Sequence, residues 1–201
     1  MTANQPQIAF LLPYLGMGGA EKVLVQLAHE FSRRGVIVDF VLFKAEGPLL
    51  DLLPPEVRII DFDQSNSYLC LPKLVQYLRR EKPDVLLSTL ELSSFLALLA
   101  RSLSRGNTRI AIRIAVTISH HSRTLIKKWL ENKLISWLYP KADRIIFVSN
   151  GVAQDFRSFT GLAARQGVVI YNPIITPQLL LDADQPVDHP FLQTGQPNVV
   201  L

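Results

Sequence analysis

The stretch "IAFLLPYLGMGGAEK", residues 8–22, passes from an apolar run through a glycine cluster into a helical pattern. A continuous apolar run, rather than an alternating one, is how a strand covered on both faces of a parallel sheet reads. Downstream, Leu24, Leu27, Ala28 and Phe31 recur at i, i+3, i+4 and i+7, one buried face of a helix over residues 20–34. Glu21 complements the positive N-terminus of that helix, Arg33 and Arg34 its negative C-terminus, and Gly35 is a good terminator. Glycines at such a strand-to-helix turn bring backbone amides close to an anion.

The same alternation continues along the chain. Apolar runs predict strands over 8–12, 36–43, 57–61, 85–89, 110–118, 144–149 and 168–171. Helical patterns fall over 72–81, 93–103, 122–139 and 151–159. Repeated units of this kind predict an α/β fold: a Rossmann-like, doubly wound, mainly parallel seven-stranded sheet with helices on both faces. Such sheets bind ligands beyond the carboxyl ends of their strands, where strand order reverses. The conspicuous polar residues cluster at those ends. Gly16, Gly18 and Gly19 follow the first strand; Ser88, Thr89 and Glu91 the fourth; Ser119, His120 and His121 the fifth. Ser149 and Asn150 follow the sixth and Asn172 the seventh.

Composition narrows the class. Of 201 residues 48% are hydrophobic and 19% charged, enough to bury a core and too apolar for disorder. The net charge of +4 is mild, so its placement matters more than its size. A single cysteine, Cys70, excludes an internal disulfide; its apolar neighbours predict a buried, inert thiol in a reducing compartment. No apolar run approaches the roughly 18 residues of a spanning helix, and the first residues lack the features of a signal peptide. His29 falls off the apolar stripe of its helix and is expected in solvent. Residues 176–196 are rich in Pro, Asp and Gln and read as a linker, after which "PNVVL" opens like another buried strand. The organisation expected is one domain over 1–178, with a linker and the first strand of a truncated second domain over 179–201.

The glycine loop fits neither common phosphate motif. Gly16 and Gly18 occupy two positions of a dinucleotide fingerprint, but Glu21 stands at the third, where only glycine allows close helix–strand packing. No Gly-Lys-Ser or Gly-Lys-Thr occurs. The bland reading is a tight turn. The functional one is that the Gly18 and Gly19 amides meet an anionic or hydroxyl-rich ligand, with Glu21 disfavouring a bare phosphate and accepting from sugar hydroxyls.

These residues resemble a known family. "GGAEKVLVQLAHEFSRRGVIVDFVLF" is similar to the opening of family 4 glycosyltransferases of the GT-B fold, "KPDVLLSTLE" to their fourth strand, and "ADRIIFVSNGVAQDF" and "VVIYNPI" to the last two units of their N-terminal domain. The resemblance covers nearly the whole chain in order. It implies an N-terminal, acceptor-side domain of a retaining, nucleotide-sugar-dependent enzyme that needs no cofactor or metal. The full enzyme would transfer a sugar to a glycan or lipid-linked acceptor in bacterial cell-surface polysaccharide biosynthesis. Most of the donor site would lie in a C-terminal domain carrying two glutamates with seven residues between them, a spacing found nowhere here. This chain alone is accordingly expected to be inactive, cytoplasmic or peripheral on the inner face of the cytoplasmic membrane.

The resemblance also implies site residues. One of His120 and His121 would act in catalysis, the sequence leaving both open. Gly18 and Gly19 would approach the donor diphosphate. Gly16, Glu21, Glu91, Ser149, Asn150 and Asn172 would meet acceptor or sugar, although Glu91 equally suits a helix cap, and Ser and Asn suit turns. Residues 123–144, "RTLIKKWLENKLISWLYPKADR", hold six basic residues against Glu131 and Asp143. Trp129 and Trp137 lie eight apart, with Ile126, Leu130, Leu134 and Leu138 near the same face. That pattern suits ordinary packing with a solvated basic face. It also suits an anionic membrane surface met by Lys127, Lys128, Trp129, Lys133 and Trp137. Nucleic-acid binding is disfavoured because no recognised module is present. Two rival functions stand beside the transferase: a non-catalytic Rossmann-like domain binding a small ligand or partner, and another GT-B member such as a sugar-nucleotide epimerase.

Overall fold

The computed structural model describes residues 5–117, 125–162, 167–175 and 177–185. The strands are β1 (Gln7–Leu12), β2 (Ile37–Leu42), β3 (Arg58–Asp61), β4 (Val85–Ser88), β5 (Arg109–Ile114), β6 (Arg144–Phe147) and β7 (Gly167–Val169). They form one sheet in the order β3-β2-β1-β4-β5-β6-β7, every neighbouring pair parallel. The order reverses between β1 and β4, so the carboxyl ends of those strands frame the crevice where this architecture places ligands.

The helices divide unequally. α1 (Gly19–Arg33) lies on one face, where Leu24, Val25 and Ala28 pack on Phe10, Leu12, Phe40 and Leu42. The Phe10 and Phe40 rings meet edge to face at 5.2 Å, a favoured aromatic geometry. α2 (Cys70–Glu81), α3 (Glu91–Ser104), α4 (Leu125–Leu138) and α5 (Asn150–Thr160) share the other face. There Leu74, Leu78, Leu98, Ile135 and Phe156 close over Ala9, Leu11, Ile112 and Phe147. Cys70 is fully buried and burial pushes its thiol pKa up, which keeps it a packing residue. His29 is exposed as expected, with Nε2 2.9 Å from the Leu52 carbonyl.

Two boundaries differ from the sequence reading for physical reasons. The run over 110–118 ends as a strand at Ile114, because its neighbour β6 ends at Phe147 and the ladder closes there. Inside the stretch read as a linker, Pro177–Ala183 forms a short helix, α6, begun by a proline at a position helices tolerate. α6 straddles the expected domain boundary at 178.

A loop the sequence reading did not single out braces the glycine turn. Leu15 donates its amide to the Glu46 carbonyl at 2.9 Å, and Gly47 beside it has φ +120°. A Cβ at Gly47 would lie 1.9 Å from the Leu15 carbonyl oxygen. Gly47→Ala is therefore expected to cost about 3 kcal/mol by combining a forbidden φ with a backbone clash. Gly35→Ala, at φ +76° in open space, is expected to cost only about 1 kcal/mol. Urea unfolding of the two variants checks the contrast; equal midpoints would refute the brace.

Candidate functional site

The site is built at the carboxyl edge of β1, β4 and β5. Gly18 caps α1 with extended backbone (φ −69°, ψ 158°) and no side-chain cap bond. The first helical bond runs from Lys22 N–H to the Gly18 carbonyl at 3.1 Å, which leaves the Gly19, Ala20 and Glu21 amides without intrahelical acceptors. Gly18 and Gly19 are exposed and Ala20 and Glu21 half-buried, so the turn faces solvent at the positive end of the helix dipole. The Glu21 carboxylate folds back over the loop: a Cβ at Gly18 would stand 2.3 Å from its Oε2. Glycine at 18 thus gives the acid its place. Gly16 lies against the Tyr14 ring, where a Cβ would stand 2.8 Å from Cε2.

Arg113, the penultimate residue of β5, is the centre of the arrangement, and the sequence reading passed over it. It is 5% exposed. Its Nη1 donates to Thr89 Oγ1 at 2.8 Å and its Nη2 to Asn172 Oδ1 at 2.7 Å. Both acceptors are neutral. Burial draws the guanidinium pKa below its ordinary value, and the Glu21 charge partly offsets that. Arginine still keeps its proton, so a positive charge sits at the floor of the crevice, within the field of the acid on the loop above it.

Glu91 opens α3 and lines a small cavity of about 70 Å³ together with Thr89, Arg113, Val116 and Tyr139. Burial pushes the Tyr139 hydroxyl well above its usual pKa, and the Glu91 charge adds to it, so the phenol stays neutral. Ser94 Oγ donates to the Leu90 carbonyl at 2.9 Å and lies 2.9 Å from Ser88 Oγ, pinning the β4–α3 turn.

Residues 17–177 match the Glycosyltransferase Family 4 profile. The chain belongs to glycosyltransferase family 4. Its all-parallel sheet is the N-terminal half of a GT-B fold, as solved structures bear out. The lipopolysaccharide outer core galactosyltransferase WaaB, in its apo form, superposes with TM-score 0.62 at 21% identity over 84% of this chain and 46% of that one. HepE of Anabaena, in complex with UDP and glucose, gives 0.63 at 20% over 87% and 48%. UDP-N-acetylglucosamine 2-epimerase from Rickettsia bellii gives 0.57 at 16% over 90% and 47%. The chain spans about half the length of these structures. No match was found among curated protein sequences.

Within this family 4 domain the remaining candidates fall unevenly. Asn172 joins the site through Arg113. Ser149 is taken up as the N-cap of α5, accepting from the Val152 amide at 3.2 Å. Asn150 is exposed and donates from Nδ2 to the Tyr171 hydroxyl at 3.3 Å, on the rim rather than at the crevice floor. His120 and His121 lie outside the described residues, as do the side chains of Lys127 and Lys128. Trp129, Lys133 and Trp137 are exposed on α4. The packing reading of the two tryptophans is thereby corrected: Ile135 and Leu138 enter the core, and the indoles point away from it. A 100° turn per residue puts 135 and 138 on one side and 129, 133 and 137 on another, so a shared face with Leu138 was an error of phase. Among the described residues no group of three or more His, Cys, Asp or Glu could hold a metal ion.

The one sequence signal for Arg113 was a charge inside the apolar run "IAIRIAV". A buried arginine needs partners, and Thr89 and Asn172 stand 24 and 59 residues away.

Proposed function

We propose that this chain supplies the acceptor half of a nucleotide-sugar-dependent glycosyltransferase, completed by a second domain across the crevice. The transfer would proceed with retention to a glycan or lipid-linked acceptor, in the cytoplasm of a bacterium building cell-surface polysaccharide. The observation that carries this reading is the pairing of the open α1 amides with Glu21 and buried Arg113 at the point where strand order reverses. The amides suit a diphosphate oxygen. A carboxylate fixed beside them suits an acceptor hydroxyl, which it can hold and orient by accepting its hydrogen bond. The binding of UDP and glucose by HepE, a structural neighbour, supports a nucleotide-sugar as donor.

The test is a panel of nucleotide-sugars and acceptors offered to a protein carried through to the second domain. The expected outcome is sugar transfer with retained anomeric configuration, and none from the 201-residue chain alone. Glu21→Gln is expected to lower kcat/KM by about 100-fold, the effect of losing one oriented charged contact to a reacting group. Epimerised nucleotide-sugar without acceptor would point to the epimerase class instead. Ligand binding with no turnover of any donor would point to a binding module.

A further inference from the structure

Helix α4 has three sides, and the fold uses two. Ile135 and Leu138, 0% and 2% exposed, enter the core. Asn132 and Ser136 turn toward α5, where Asn132 Nδ2 donates to the Phe159 carbonyl and Ser136 Oγ donates to Asn132 Oδ1 at 2.9 Å. The third side presents Trp129, Lys133 and Trp137 at i, i+4 and i+8, and Lys141 continues the row in the following 3₁₀ turn. Trp129 is 63% and Trp137 61% exposed, with Leu134 at 38% beside them. Lys133 Nζ lies 5.9 Å from the Trp129 ring centroid and Lys141 Nζ 3.5 Å from that of Trp137. The result is a ladder of indole and ammonium groups facing outward.

We propose that this ladder docks the protein on an anionic lipid bilayer. The chemistry decides among occupants. Protein interfaces favour aromatic residues but are depleted in lysine, so a row alternating tryptophan with lysine fits a second copy or a protein partner poorly. A bilayer surface takes both: indoles settle at the headgroup level, and ammonium groups meet lipid phosphates. Charge complementarity extends along the segment, since residues 123–144 hold six basic residues against two acids. One of those acids, Asp143, is engaged by Arg101 Nη1 at 2.6 Å and by the Ile110 amide at 2.8 Å, so it does not neutralise the row. No helix among the described residues is long and apolar enough to cross a membrane, so the contact lies on the surface. Because α4 follows β5, the row starts near the rim that holds Arg113 and Glu91 and runs down one flank. The docking surface stands on its own observations and goes beyond the transferase reading.

Trp129 and Trp137 are the only tryptophans in the chain, so its intrinsic indole emission reports this face alone. The experiment adds phosphatidylcholine vesicles, with or without phosphatidylglycerol, to the 201-residue chain at low salt. The expected result is a blue shift and co-flotation with phosphatidylglycerol vesicles only, both reversed by high salt. Lys133→Ala with Lys141→Ala should weaken partitioning about 30-fold. Trp129→Ala with Trp137→Ala should abolish flotation without moving the thermal midpoint, since both side chains are mostly in water. Unshifted emission with phosphatidylglycerol vesicles would overturn the proposal. So would a blue shift on concentrating the protein without lipid, which would mark self-association, or undiminished flotation of the two double variants.

Discussion

Replacing Arg58 with alanine is expected to destabilise the fold by about 3 kcal/mol, as much as truncating a core leucine although the side chain is half in solvent. The reason lies in Asp39, a fully buried carboxylate in the middle of β2. Arg58 holds it with Nε to Oδ1 at 2.7 Å and Nη2 to Oδ2 at 2.6 Å. Tyr77 donates its hydroxyl to Oδ2 at 2.6 Å and Gln7 its Nε2 at 2.8 Å. Four hydrogen bonds from β1, β3 and α2 therefore converge on one strand residue. Removing Arg58 leaves a buried charge with only neutral donors, which costs about 3–5 kcal/mol in comparable settings. The lower end applies because Arg58 is itself 46% exposed and solvent screens its share. Tyr77→Phe should cost about 1.5–2 kcal/mol, the worth of one hydrogen bond to a charged acceptor. The double variant Asp39→Val, Arg58→Leu should recover much of the loss, because removing both charges removes the uncompensated one. Urea unfolding of the three variants measures all of this. An Arg58→Ala midpoint within about 1 kcal/mol of the parent would show that water, not Arg58, solvates Asp39.

What the sequence disclosed and what it hid follow one rule. Signals carried by neighbours along the chain were legible. The β1 run and the Leu24–Ala28 stripe gave β1 and α1 nearly to the residue, because local periodicity and burial agree in a parallel sheet. The glycine loop and the polar residues after β4 and β7 could be placed on one edge, because strand ends in this architecture share an edge. Contacts between distant residues were not legible. Asp39 finds Arg58 and Tyr77 at separations of 19 and 38, and Gly47 meets Leu15 across a loop. Read alone, each is an ordinary polar residue in a strand or an ordinary turn glycine. Arg113 belongs to the same class. The α4 tryptophans failed differently: a helix apolar on two sides has no single stripe, so periodicity did not say which side faces the core.

Arg113→Met is expected to lower kcat/KM for sugar transfer by about 100-fold or more while leaving stability unchanged or slightly higher. The two directions come from one geometry. The guanidinium is desolvated at the end of β5 with two neutral acceptors, Thr89 and Asn172, and among the described residues the charge that favours it is that of Glu21. Methionine fits an apolar stem and relieves the desolvation penalty of a buried cation, which offsets the partner lost by buried Thr89, while half-buried Asn172 can turn to water. A purely structural arginine would lose stability on truncation; one kept for function shows the opposite trade. What the crevice loses is the positive charge that offsets Glu21 and would stabilise a developing anion. It also loses the tie that holds Asn172, three residues beyond the end of β7, against the floor of the site. Arg113→Lys tests the second part. Its ammonium restores the charge but cannot fork to Thr89 and Asn172 together, so activity should recover only in part. The readouts are kcat and KM, for donor and acceptor separately, on a protein that includes the second domain, with urea midpoints for the same variants. If Arg113→Met loses stability in proportion to activity, the residue is a structural post. If activity is untouched, the crevice floor is not where transfer occurs.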